Sequence, residues 1–165
     1  MFERFAVADG AAGPYGITAG PDGALWFTLV HAGEIGRLAA DGTVRRFGLG
    51  APGCGPSVIT PGPDGALWFT RMRDHRIGRI DTGGRACSYE LPTAGAGPFG
   101  ITAGPDGALW FTEWGADRIG CRTPDGRIAA YELPVPGSEP HGITVGPDGA
   151  VHAALETGEI VRLAP

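Results

Sequence analysis

The sequence predicts an all-β fold, a β-propeller made of four-stranded antiparallel blades. A segment of fifteen residues recurs every 42 residues, which makes four repeats in the 165-residue chain. Each repeat contains short runs of β-branched and aromatic residues, and glycine and proline punctuate these runs. Repeats of about 40–45 residues with four strands are typical of propeller blades, and no stretch shows a helical period.

The first part of each repeat is the most regular. Pro14 opens the segment PYGITAGPDGALWFT, which returns at residues 56–70 and 98–112 and more weakly at 140–154. The motif EIGR at 34–37 returns as RIGR at 76–79 and as RIGC at 118–121. We therefore expect a single propeller array over residues 1–165, with repeats near 14–55, 56–97, 98–139 and 140–165 and a separate strand at 1–13.

Four strands are predicted within the first repeat, over residues 16–19, 24–28, 34–38 and 43–47. The sequences Pro21-Asp22-Gly23 and Asp41-Gly42 separate two pairs of these strands. Both are hairpin signals, because glycine adopts a positive φ without steric cost. Similar turns recur in the later repeats, so we assign a structural role to the loops on this face of the blades.

The two ends of the chain are predicted to complement each other. Residues 160–163 align with the third strand of a blade, so the fourth repeat lacks its own last strand. Residues 1–13 match the segment 43–55, and Phe5 aligns with the aromatic residues Phe47, Tyr89 and Tyr131. We expect this N-terminal strand to complete the last blade and to protect its edge.

Three assemblies are compatible with four repeats. We favour a homodimer in which each N-terminal strand completes the partner's last blade, so that two chains form an eight-bladed ring. A monomeric four-bladed ring is the second possibility. The third is that the chain is one part of a longer propeller.

Composition and charge argue against several functional classes. The net charge is −5 and the 13 Lys and Arg residues form no basic stripe, so no nucleic-acid partner is expected. No window is long and apolar enough to cross a bilayer, and the first residues lack the pattern of a signal peptide. We therefore expect a cytoplasmic protein without membrane association, whose three cysteines are free thiols.

The variable loops are the expected location of function. They connect consecutive blades, and the second and third strands within a blade, on the face opposite the repeated turns. The residue after the opening proline of each repeat is Tyr15, Ser57, Phe99 or His141. Equivalent positions of a propeller converge on its axis, so we expect the first three of them, with Trp114 from a nearby loop, to face a substrate.

A group of polar residues breaks the regularity in the fourth repeat. Glu139 and His141 are two residues apart, so their side chains point to the same side of an extended segment. Glu156 belongs to a loop that reaches the same rim. Two carboxylates and an imidazole can hold Mg²⁺ and keep a base beside it. From spacing alone, three solvated polar residues are the simpler interpretation, because any propeller face carries such residues.

The repeats resemble the virginiamycin B lyase family, whose members are β-propellers that inactivate streptogramin B antibiotics. The resemblance rests on GITAGPDGALWFT, RIGR and the sequence YELP at 89–92 and 131–134, and it covers essentially the whole chain. The segments EWGA at 113–116, EPHGI at 139–143 and ALE at 154–156 resemble the end of the lyase more specifically.

The resemblance implies a reaction and a role for each polar residue of the fourth repeat. Glu139 and Glu156 would bind Mg²⁺, and His141 would act as the catalytic base that takes the proton α to a carbonyl. The ester of a cyclic depsipeptide would then open by elimination, without addition of water. The implied partner is a small-molecule or cyclic peptide ligand.

Three features depart from the family. The family has seven blades in one chain, whereas this chain has four repeats, and the family places another histidine at the position of Phe99. In the fourth repeat, His152-Ala153-Ala154 replaces the usual Trp-Phe-Thr. We interpret His152 as a degenerated core position rather than a ligand. A propeller that binds or scaffolds without catalysis is therefore the alternative function.

Overall fold

The structure, a computed structural model, describes residues 1–163, and nearly all of its regular secondary structure is β-strand. The first sheet contains β1 (Pro14–Ala19), β2 (Leu25–Leu29), β3 (Glu34–Leu38) and β4 (Val44–Gly48). The second contains β5 (Pro56–Pro61), β6 (Leu67–Arg71), β7 (Arg76–Ile80) and β8 (Ala86–Glu90). The third contains β9 (Pro98–Ala103), β10 (Leu109–Glu113), β11 (Arg118–Arg122) and β12 (Ile128–Glu132). The fourth contains β13 (Pro140–Val145), β14 (Val151–Leu155) and β15 (Ile160–Leu163), and a short 3-10 helix, Trp114–Ala116, follows β10.

The predicted fold class, a β-propeller of antiparallel blades, is confirmed. In each sheet the strands lie side by side in sequence order, and the opening strands β1, β5, β9 and β13 pack on one another in succession. The strands of the first repeat begin and end within two residues of their predicted bounds. Gly23 and Gly42 have φ values of 74° and 85°, as the predicted hairpin turns require.

The hydrophobic core lies between consecutive blades. Trp26 of the first blade is buried against Ile59 and Phe69 of the second blade, and its ring stacks on Phe47 at a centroid distance of 5.7 Å. Trp68 occupies the same place between the second and third blades. The repeated tryptophan therefore joins each blade to the next one, which is why it recurs at a fixed spacing.

The fourth blade differs from the prediction at its outer edge. Its sheet contains β13, β14 and β15, and within residues 1–163 no N-terminal strand pairs with β15. The prediction that the N-terminal strand completes the last blade is therefore wrong for the single chain. The reason is geometric, because the first and fourth sheets do not pack as neighbouring blades do in the described part of the chain. A homodimer in which this strand pairs with the partner stays a prediction.

The N-terminal segment instead lies on the first blade. Val7, Ala8 and Ala12 pack against Phe27 and Leu29, on the face that a preceding blade covers elsewhere in the array. The amide of Val30 donates a hydrogen bond to the carbonyl of Gly13. In the second blade, the amide of Met72 donates the equivalent hydrogen bond to the carbonyl of Gly55. Residues 7–13 thus adopt the conformation of a loop between blades, in agreement with their match to residues 49–55.

The cysteines and His152 occupy structural positions. No disulfide joins the cysteines, and Cys54 and Cys121 are buried whereas Cys87 is exposed. Burial raises the pKa of the Cys121 thiol to about 11, so this group stays protonated near neutral pH. His152 is half-buried in the place of the repeated tryptophan, with its Nδ1 3.1 Å from the carbonyl oxygen of Ala150.

Among residues 1–163, no helix has the length and apolar character needed to span a bilayer.

Candidate functional site

A β-bulge at the same place in every blade determines where the site forms. In each blade the opening strand carries one extra residue between its first proline and the isoleucine three positions later. Such a bulge turns a side chain out of the regular alternation of the strand. The residues predicted to converge on the axis lie within these bulges: Tyr15, Ser57, Phe99 and His141.

Six side chains from the variable loops and bulges line one cavity of about 370 Å³. These residues are Tyr15, Phe99, Trp114, Glu139, His141 and Glu156. They come from the first, third and fourth blades, so no single repeat forms the cavity. The structure thus brings together six of the seven residues that the sequence had singled out.

Ser57 is the exception, because it does not line the cavity. Its side chain is only 1% exposed, and its hydroxyl donates a hydrogen bond to the carbonyl of Gly55 at 3.0 Å. The expectation that Ser57 faces a substrate is therefore corrected. Its small side chain leaves room for Tyr15 and Phe99 to meet, with their ring centroids 6.3 Å apart in an edge-to-face arrangement.

Aromatic rings enclose the imidazole of His141 on two sides. The centroid of Phe99 lies 5.4 Å and that of Trp114 lies 6.4 Å from the imidazole centroid. Tyr15 extends this aromatic surface beyond Phe99. Such a wall offers apolar faces to a ligand and restricts the rotation of the imidazole.

A threonine of the preceding blade holds the backbone of His141 in place. Thr112 is fully buried and its hydroxyl donates to the carbonyl of His141 at 2.8 Å, while it accepts a hydrogen bond from the amide of Gly100. The equivalent threonines Thr28 and Thr70 make the same bond to the residue at the bulge of the next blade. The repeat itself therefore positions the imidazole, before any specialised contact is considered.

The imidazole Nε2 of His141 faces a carboxylate. It lies 3.5 Å from Oε1 of Glu156, and it has no hydrogen-bond partner although this nitrogen is shielded from solvent. The amide of Glu156 donates to the carbonyl of Ser138 at 3.0 Å, so the loop of Glu156 is tied to the residue before Glu139. An unpartnered basic nitrogen between an aromatic wall and a carboxylate is suited to proton transfer.

The acidic residues fit a hard divalent cation by the chemistry of their donor atoms. The carboxylates of Glu139 and Glu156 are exposed and line the same cavity. Within residues 1–163 no three such side chains are close enough to form a preorganised metal cluster. Mg²⁺ commonly takes one or two protein carboxylates and keeps several water ligands, so two carboxylates in one cavity meet its needs.

A buried carboxylate next to the cavity was not predicted from the sequence. Glu113 ends β10, its side chain is fully buried, and neither carboxylate oxygen has a hydrogen-bond partner. Burial raises the pKa of Glu113. The polar side chain of Thr93 and the positive charge of Arg118 lower this pKa, but their effects are smaller than that of burial. The first and fourth repeats place Leu29 and Leu155 at this position, and that departure from an apolar pattern could have revealed it.

Replacing Glu113 with glutamine should stabilise the protein at neutral and higher pH. The pKa is raised in the folded state, so the contribution of Glu113 is fully present below its ordinary value of 4.5 and is lost as the pH rises through the folded-state pKa. At about pH 8 we expect the free energy of unfolding to rise by about 1–3 kcal/mol, because glutamine removes the cost of ionising a carboxylate that burial has separated from water. Urea unfolding across this pH range measures the effect.

A matched control separates burial from charge. Glu90 is 76% exposed, so Glu90→Gln should leave the pH dependence of the unfolding free energy nearly unchanged. If the difference between Glu113→Gln and the unmodified protein stayed constant from about pH 4 to 8, the pKa of Glu113 would be the same in the folded and unfolded states. The expected result is a difference that grows with pH.

Comparison with known proteins places these features in a family context. The sequence profile of the virginiamycin B lyase family matches residues 1–136 and 107–163. A virginiamycin B lyase of Saccharopolyspora erythraea is 78% identical over 36 residues, which are 22% of this chain and 12% of that protein. A virginiamycin B lyase of Streptomyces coelicolor is 58% identical over 38 residues, or 23% of this chain and 13% of that protein.

Solved structures extend the similarity over nearly the whole chain. A virginiamycin B lyase from Staphylococcus aureus is 40% identical, with a TM-score of 0.93 over 98% of this chain and 55% of its own length. A streptogramin B lyase structure is 35% identical, with a TM-score of 0.89 over 99% of this chain and 58% of its own. A catalytically inactive histidine-to-alanine variant of the Staphylococcus aureus enzyme, solved with quinupristin, is 37% identical and has a TM-score of 0.88 over 95% of this chain and 57% of its own. This chain therefore spans little more than half the length of the solved lyases that it matches.

Proposed function

Because the chain belongs to the virginiamycin B lyase family, we propose that it takes part in the opening of a cyclic depsipeptide of the streptogramin B class by elimination at its ester. The observation that carries this proposal is the shared cavity of Glu139, His141 and Glu156, with an unpartnered Nε2 on the imidazole. Support also comes from the solved lyase structure that contains quinupristin, because 95% of this chain can be superposed on that structure.

His141 is the proposed base. Its Nε2 would accept the proton bound to the carbon α to a carbonyl, since imidazole is well suited to proton transfer near neutral pH. The electron pair of the broken C–H bond would form a double bond to the β-carbon. The ester C–O bond at the β-carbon would break, and the carboxylate would leave. No water is consumed, so the linear product has the mass of the cyclic substrate.

The acidic residues and the aromatic wall have separate proposed roles. Mg²⁺ held by Glu139 and Glu156 would supply Lewis-acid stabilisation of the negative charge that develops on the carbonyl oxygen. Tyr15, Phe99 and Trp114 would bind apolar parts of the peptide ring and keep bulk water away from His141. Thr112 would hold the imidazole at a constant position through the His141 carbonyl.

Incubation with a streptogramin B antibiotic tests the proposal directly. We expect a linear product of unchanged mass by chromatography and mass spectrometry, loss of this product with EDTA, and recovery when excess Mg²⁺ is added. Circular dichroism on the same sample establishes that the protein is folded. A folded sample that gives no product under any of these conditions contradicts the lyase proposal and favours a propeller that binds ligands without catalysis.

A further inference from the structure

Glu139 occupies a backbone position that glycine holds in the other repeats. The equivalent residues Gly13, Gly55 and Gly97 have φ values of 67°, 62° and 52°, and Glu139 has a φ of 43°. This left-handed region is open to glycine but crowds the Cβ atom of any other residue. A glutamate here is strained, and such strain persists where the surrounding structure enforces it.

The side chain of Asp117 binds the backbone on both sides of Ser138 and so holds Glu139. Its Oδ1 accepts a hydrogen bond from the amide of Glu139 at 2.9 Å, and its Oδ2 accepts one from the amide of Gly137 at 2.7 Å. The backbone carbonyl of Asp117 also accepts from the amide of Leu133 at 3.0 Å. Asp117 thus binds both ends of the loop that leads into the fourth blade. The amide donors, that of Glu139 foremost, lower the pKa of Asp117 and keep it ionised.

The other repeats lack this clamp. Gly33, at the position of Asp117 in the first repeat, has no side chain, and His75 in the second accepts one bond, from the amide of Gly97 at 3.0 Å. In both of those repeats the residue to be held is a glycine. At the equivalent positions of these three loops stand Gly55, Gly97 and Glu139. The carboxylate that binds two amides therefore occurs in the loop whose residue at this position is not a glycine.

We propose that Asp117 is a positioning residue that holds Glu139 in its left-handed backbone conformation, so that the Glu139 carboxylate lines the cavity beside His141. The functional meaning of this clamp rests on the proposed role of Glu139 as a Mg²⁺ ligand. The clamp also spaces the two acidic residues, because the carbonyl of Ser138, inside the clamped loop, accepts the amide of Glu156 at 3.0 Å. Asp117 contacts neither the imidazole nor the cavity, so it acts through Glu139.

A double-mutant cycle tests the clamp without any activity assay. Asp117→Ala should raise the unfolding equilibrium constant about tenfold in the unmodified protein, since two bonds to a charged acceptor are lost. In the Glu139→Gly background it should raise this constant more, by about a hundredfold, because the same two backbone amides lose their acceptor while glycine has no strain whose release would offset that loss. Asp117→Asn, which keeps one acceptor oxygen, replaces alanine in the cycle if the alanine variant does not fold.

Binding of Mg²⁺ alone, followed by calorimetry, gives the second measurement. Asp117→Ala should weaken the affinity about tenfold or more, as the loss of residues that orient metal ligands usually does. His75→Ala is the matched control, because it removes the equivalent side chain next to a glycine and should leave Mg²⁺ affinity unchanged.

The two measurements separate the possible failures. An equal effect of Asp117→Ala in both backgrounds overturns the clamp and leaves Asp117 as an ordinary loop contact. If the unmodified protein binds no Mg²⁺, the proposed metal site is contradicted, and the cycle still decides whether Asp117 holds Glu139. Coupling in the cycle together with unchanged Mg²⁺ affinity refutes the statement that the clamp serves the Glu139 carboxylate.

Discussion

Replacing His141 with alanine should lower kcat/KM for a streptogramin B antibiotic by about a thousandfold, the usual loss when a general base is removed. The reason is that His141 lines the cavity and its Nε2 is a basic atom without a hydrogen-bond partner, 3.5 Å from Oε1 of Glu156. The affinity for Mg²⁺ should change little, because the proposed ligands are carboxylates. Steady-state kinetics and calorimetry on the same preparation measure both effects.

A second histidine provides the control for this substitution. His31 lies in the loop between β2 and β3 of the first blade, is exposed, and does not line the cavity. His31→Ala should keep kcat/KM within about twofold of the unmodified protein, as substitutions remote from the reacting atoms usually do. A His141→Ala variant that retains activity within tenfold of the starting value would show that another group takes the proton.

Replacing Gly78 with alanine should lower the free energy of unfolding by about 3 kcal/mol, near the upper end of the cost of overpacking a core. A Cβ atom at this position would lie 2.1 Å from Cε2 and 2.2 Å from Cζ of Phe69, whose side chain is fully buried. Neither the ring nor the strand can move freely, because Phe69 packs in the core cluster of Trp26 and Ile59. The same contact recurs between Gly36 and Phe27, and it explains the glycine of the motif RIGR.

Denaturant unfolding with an unchanged slope is the appropriate measurement for Gly78→Ala. Gly48→Ala is the matched control, since Gly48 ends a strand of the first blade and a Cβ atom there would meet no atom within 4 Å. We expect the control to change the unfolding free energy by less than about 0.5 kcal/mol. Equal effects of the two substitutions would mean that the core between blades tolerates the extra methyl group.

Much of the fold could be predicted because its determinants are local and repeated. Strand bounds follow from glycine turns such as those at Gly23 and Gly42, which need a positive φ wherever they occur. The pairing of the N-terminal segment could not be predicted in this way. It depends on the positions of the first and last blades relative to each other, and no residue near Phe5 encodes that relation.

The candidate site, like the fold, could be predicted only in part. Spacing identified His141, Glu139 and Glu156 as a group, and the structure places them in one cavity. Spacing did not distinguish Ser57, which is buried, from Phe99, which faces the imidazole. The difference arises from contacts between blades, since Tyr15 and Phe99 meet across the second blade.

The sequence by itself therefore determined the blades, their order, and the residue types available for chemistry. Short strands, hairpin turns and a 42-residue period are local properties, and their physics is complete within each repeat. Only the tertiary structure decided which of those residues share a cavity, that Glu113 is buried without a partner, and that Asp117 holds Glu139 in a strained conformation. These features depend on distances between residues on separate strands and loops, which are set by the bulges and by the packing of one blade on the next.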